Sequence, residues 1–175
     1  MRNAAFLALA LALLLFQANL HRLLGPIGLH GWTPSAVLPL VIFLGVHEPS
    51  MARGVILAAI IGHALELFAS APIGLFTFLY VALWWLARIA GVRLTAQTVP
   101  TQMALAFGFS LVESLVILVL LVVFGADPQR PVELATVVMP HSTATALIAP
   151  LVFRIAERLH QTAAAPQQRP AEASR

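Results

Sequence analysis

Long apolar runs occupy most of this chain, and their length decides what it can fold into. Ala4 to Leu20, Gly54 to Ser70, Ile73 to Ala90, Met103 to Phe124 and Leu134 to Phe153 each approach the roughly 20 residues that carry a helix across a bilayer core, at about 1.5 Å of rise per residue. Hydrophobic residues make up 60% of the chain and charged residues only 10%, so lipid rather than water is the expected solvent. The opening "MRNAAFLALALALLLFQANL" has the positive tip and apolar run of a signal peptide. Phe16 and Ala18, however, precede Asn19 without an A-x-A-like cleavage site, and a retained first helix is expected.

A sixth segment is short. "PSAVLPLVIFLG" is apolar only from Ala36 to Val46 and holds Pro39, which removes a backbone donor. Extended back to residues 27–46 it is long enough to cross, with a break near Pro34 whose freed carbonyl must find a partner in the bundle. Arginine placement supports counting it. All ten basic residues are arginine, and arginine-rich short loops stay on the cytoplasmic side. Six crossings with the amino terminus inside put Arg2, Arg53, Arg88, Arg93, Arg154 and Arg158 in the cytoplasm and leave only Arg22 and Arg130 outside. The expectation is an all-α membrane protein with one domain over residues 1–160, crossing at 4–20, 27–46, 54–70, 73–90, 103–124 and 134–153, both ends cytoplasmic. "SAPIG" at 70–74 makes the third and fourth helices a hairpin. Residues 161–175 lack an apolar period and read as a disordered cytoplasmic tail.

Polar groups inside these runs are the candidate functional residues. Glu66 sits about 18 Å up the third helix and Glu113 about 15 Å up the fifth, with His63 one turn before Glu66 and His141 descending to a similar depth. An ionised carboxylate near the bilayer centre costs about 2.5 to 3.5 kcal/mol, so these groups should face the bundle. His63, Glu66, Glu113 and His141 could form a proton relay, a ligand pocket or a metal site. They could equally be hydrogen-bonded contacts that fix helix register, with Ser110 and Ser114 flanking Glu113, or carboxyls turned toward another protein. Ala4, Ala8 and Ala12 recur every four residues, a spacing that lets a second helix approach closely. Trp32 and the Trp84, Trp85 pair suit interfacial anchoring, although the pair lies several residues inside its helix and could pack instead.

Several function classes fall away. Cysteine is absent, which removes disulfides, thiolate metal sites and cysteine nucleophiles. The arginines are scattered rather than gathered with aromatics, so no nucleic-acid partner is expected. There is no G-x-S-x-G, H-E-x-x-H or P-loop, and "HALE" lacks a zincin's second histidine. Neither enzyme activity nor a cofactor is expected.

The order "TPSAVLPLVIFLG", a basic turn at Arg53, then "GHALELFASAPIGLFTFLYVALWWLAR" resembles the rod shape-determining membrane protein MreD family. That family has a proline-led second helix, a G-L-x-x-D-like segment and a glycine opening the fourth helix; Gly62, Leu65, Glu66, Pro72 and Gly74 stand at those places. Glutamate replaces the usual aspartate, and His63 an aliphatic residue. "MPHSTATALIAPLVFRIAERL", with Pro140 and Pro150, is similar to the family's last helix, Thr143 standing where asparagine is frequent. The resemblance implies a non-enzymatic scaffold of the cell-elongation machinery in the bacterial cytoplasmic membrane, in contact with lipid, MreC, the actin-like MreB and a peptidoglycan polymerase with its transpeptidase. It also implies the fold of the substrate-binding components of energy-coupling-factor transporters. The alternative function is therefore a vitamin-like ligand binder that meets its transporter partner through a stripe such as Ala4, Ala8 and Ala12.

Overall fold

Helices form where the apolar runs lie. The computed structural model describes residues 2–24, 26, 30–69, 73–91, 98–124 and 130–164. Within them run α1 (Arg2–Leu24), a 3-10 turn (His30–Trp32), α2 (Leu38–His47), α3 (Met51–Ala69), α4 (Leu75–Gly91), α5 (Val99–Phe124) and α6 (Arg130–Ala164), and every described element is helical. The described residues are all-helical, with six α-helices whose length and apolar composition suit a membrane protein. Four of them, α1, α3, α5 and α6, are long and apolar enough to span a bilayer; α2 and α4 are shorter apolar helices.

The solvent preference of each face fits lipid outside and polar groups inside. Leu67, Phe78, Val122 and Leu147 stand on the outer surface. Glu66, Ser110, Glu113 and Ser142 are buried. In a water-soluble protein of this size the polar residues would cover the surface and the apolar ones would fill the core. Here large apolar residues stand exposed while Glu66, Ser110, Glu113 and Ser142 turn inward, and His63, with its side chain 57% exposed, is an exception.

The second segment is much shorter than its expected span of 27–46. Its helix has ten residues, about 15 Å, which is half of a hydrocarbon core of about 30 Å. Pro39 occupies the helix's first turn, where its missing N–H is one of the orphan donors in any case, so it starts the helix instead of interrupting it. The break lies before it, at residues 33–37. Every residue from Pro34 to Gly45 is buried, and α2 packs against α4 and α6. Non-helical backbone is tolerated at membrane depth only under such cover. Residues 27–29 lie outside the described residues.

At the other end α6 outruns its expected span of 134–153 by a wide margin. Pro140 and Pro150 sit inside it, each removing one ladder bond, yet the helix continues through Arg154 and Arg158 to Ala164. The tail expected over 161–175 is thus helical at 161–164. Alanine, arginine and glutamate favour helix; residues 165–175 lie outside the described residues.

Candidate functional site

The α3–α4 hairpin holds the first of three polar contacts. Gly62 faces the first turn of α4 so closely that a Cβ there would lie 2.6 Å from the Phe76 carbonyl oxygen and 2.8 Å from Thr77 Cα. Only glycine permits that approach. One turn further along α3, the approach puts Glu66 in reach of α4's amino terminus, and the Thr77 N–H donates to Glu66 Oε1 at 2.7 Å. His63 Nδ1 donates to the other oxygen, Oε2, at 3.2 Å. The first N–H groups of a helix have no partner within it, and a carboxylate there also meets the positive end of the helix dipole. Glu66 is therefore a cap delivered from the neighbouring helix. Gly74, which precedes α4, has φ +92, a left-handed conformation that glycine adopts without steric cost.

The second contact holds the break before α2. The Ser35 N–H donates to Thr145 Oγ1 at 3.0 Å and the Ala36 N–H to Gln17 Oε1 at 3.2 Å. His141 Nδ1 donates to the Thr33 carbonyl at 2.6 Å. Side chains from α1 and α6 thus satisfy the backbone groups that no helix ladder can. His141 acts here as a clamp on irregular backbone.

The third lies deeper. Ser35 Oγ and the Tyr80 hydroxyl are 3.3 Å apart, and the Glu113 carboxyl stands beside both hydroxyls. Glu113 Oε2 has no hydrogen-bond partner among the described residues, and neither do the buried hydroxyls of Ser110 and Ser142.

Of the four residues singled out as a possible cluster, then, His63 and Glu66 are joined, while Glu113 and His141 each have other partners. No group of three or more metal-ligating side chains converges among the described residues. Sequence reasoning missed Gln17, Tyr80 and Thr145. Gln17 was visible as a polar residue in the first apolar run, and Tyr80 is the single tyrosine of the chain; Thr145 carried no signal, since threonine in a membrane helix commonly bonds its own ladder, as it also does here to His141 O at 2.9 Å.

Ala4, Ala8 and Ala12 are exposed and lie on the face of α1 opposite Phe6, Ala10 and Leu14, which enter the core. The stripe lies on the outward surface of α1. Trp84 is buried, with the Arg88 guanidinium 5.6 Å from its ring centre, whereas Trp85 and Trp32 are exposed. Arg88 also donates from Nη1 to the Glu48 carbonyl at 2.7 Å, which ties the α2–α3 connection to the end of α4.

No known family, characterised protein or solved structure matches this chain in any of three comparisons.

Proposed function

We infer that the chain is a non-enzymatic membrane scaffold of the bacterial cell-elongation complex, supporting peptidoglycan synthesis and cell shape through contacts with MreC and, through it, MreB and a peptidoglycan polymerase with its transpeptidase. The observation that carries this reading is the use of the buried polar groups. Glu66 caps a helix, and Gln17, His141 and Thr145 hold irregular backbone; each fixes a shape. The resemblance at Gly62, Leu65, Glu66 and Gly74 adds to it, because Gly62 and Glu66 together set how closely the hairpin closes. The outward Ala4, Ala8, Ala12 stripe offers a partner helix a close approach.

In this reading all six helices cross the cytoplasmic membrane with both ends inside, α2 completing its crossing through the irregular segment before it. Cysteines at Thr95 and Gln129, in the connections before and after α5, label from opposite sides, with Gln129 outside; labelling of both from one side ends the six-crossing topology. The functional test is purification in mild detergent, in which a single-span cell-shape protein accompanies the chain. Retention of a vitamin-like molecule together with a transporter subunit replaces the scaffold with the ligand binder.

A further inference from the structure

A cleft of about 500 Å³ opens between the carboxyl-terminal ends of α1 and α3 and the amino-terminal half of α6. That volume is within the range of small-molecule sites, about 300 to 1,000 Å³. Its walls divide into two parts. Leu14, Ala18, Leu65 and Phe68 form an apolar side, and Gln17, Arg22 and His141 a polar one. Among the described residues, no carboxylate lines it.

The polar side is short of acceptors. Gln17 Oε1 is committed to the Ala36 N–H, which fixes the amide's orientation and leaves its NH2 group as the free end. His141 commits Nδ1 to the Thr33 carbonyl and leaves Nε2. Arg22 is exposed and forms no ion pair or hydrogen bond with a described residue. The guanidinium fork suits the paired oxygens of a phosphate or carboxylate. The carboxyl ends of α1 and α3 bring partial negative charge to the same place, so an anion is welcome only through Arg22.

Depth identifies what carries the anion. The apolar window of α1 ends at Leu20, two residues before Arg22, while Leu65 and Phe68 belong to the apolar window of α3. The cleft therefore straddles the boundary between hydrocarbon and head-group layer, with its cation on the wet side and its aromatic wall on the dry side. A free anion has no use for that wall. We propose that the cleft between α1, α3 and α6 binds an anionic membrane lipid, Arg22 and the Gln17 amide holding its phosphate and the Leu14, Leu65 and Phe68 wall holding the start of its acyl chain.

The full chain, purified in a neutral detergent, is challenged with phosphatidylglycerol, with phosphatidylcholine of the same acyl chains, and with inorganic phosphate, and bound lipid is read by native mass spectrometry. The isolated chain is measured, so the outcome is independent of any partner protein. Both lipids carry the phosphodiester, but the quaternary ammonium of phosphatidylcholine brings a like charge beside Arg22, so phosphatidylglycerol is retained about tenfold better. Arg22→Gln removes that preference without lowering the melting temperature, because Arg22 is exposed. Ala18→Trp, which fills the apolar side and leaves Arg22 in place, removes retention of both lipids. Equal retention of the two lipids by the unmodified chain, an undiminished preference in Arg22→Gln, or displacement of the lipid by inorganic phosphate at equal concentration each overturns the assignment.

Discussion

Two glutamates with almost no exposed surface lead different lives. Glu66 and Glu113 are 3% and 4% exposed, and by sequence each is a lone carboxyl in a greasy helix. In the hairpin, both Glu66 oxygens are engaged, one by a backbone N–H and one by a histidine. In the deeper contact, one Glu113 oxygen has no partner among the described residues and the other faces hydroxyls that also face each other. Burial alone therefore says little about how much a polar group contributes. What separates the two is whether the group satisfies a donor that nothing else could reach.

The largest effect should come from the close approach that makes the Glu66 contact possible. Gly62→Leu pushes a side chain into the backbone of α4, where no flexible neighbour can yield. Overpacking of this kind costs about 1 to 3 kcal/mol, and the melting temperature in detergent should drop more than for any other single change described below. The Glu66→Leu change made in that background should add little, since the cap is already out of reach. Full additivity would mean the glycine and the cap are unrelated.

Next in size is Glu66 itself. Glu66→Leu strands the Thr77 N–H, at about 1 to 3 kcal/mol for an unsatisfied buried group, and releases His63, whose side chain is 57% exposed. Glu66→Gln keeps an acceptor for Thr77 and loses only the favourable charge at the helix terminus, about 0.3 to 1 kcal/mol. Thermal melts should therefore rank wild type, glutamine, leucine. A glutamine variant as unstable as the leucine variant would show that the charge, not the cap, matters.

Glu113 and its neighbours should respond least. Tyr80→Phe removes the hydroxyl shared by Ser35 and Glu113, and membrane hydrogen bonds average about 0.6 kcal/mol by mutant cycles. Glu113→Gln should cost little, because the amide can turn its NH2 toward the Ser35 and Tyr80 hydroxyls, which can accept, and leave its oxygen where Oε2 already lacks a partner. The sharpest comparison is the double variant: Glu66→Leu with Glu113→Leu should sum to within about 0.5 kcal/mol, as expected for sites without a shared partner. A clear shortfall in the sum would join the two carboxyls into one network and erase the distinction drawn here.

The helices were legible in the sequence because run length is a direct measure of what spans lipid, and an amide ladder inside lipid admits little else. Their ends were less so: α6 continues past Phe153 because helix-favouring residues follow the apolar run, and hydropathy is blind to propensity. The break near Pro34 was legible, and Pro39, read only as a lost donor inside the segment, stands in the first turn of α2, where that donor has no partner in any case. The pairing of His63 with Glu66 was legible from spacing on one helix. Grouping them with Glu113 and His141 was not, because counting rise gives each residue's height and leaves its direction around the axis unknown. The partner of Glu66 was harder still, being a backbone N–H at Thr77 that every residue other than proline possesses. A search for side-chain pairs passes over it.

The irregular backbone ahead of α2 has a consequence for biogenesis. Ten helical residues offer an insertion machinery too little apolar length to partition alone, and the segment's exposed amide groups make lipid a hostile place to wait. The donor at Ser35 meets its acceptor at Thr145, 110 residues later. The Ser35–Thr145 bond can close only after residue 145 has been synthesised. A ribosome stalled before residue 145 would leave a chain that cannot close, and membrane proteases would meet it as an unfinished product.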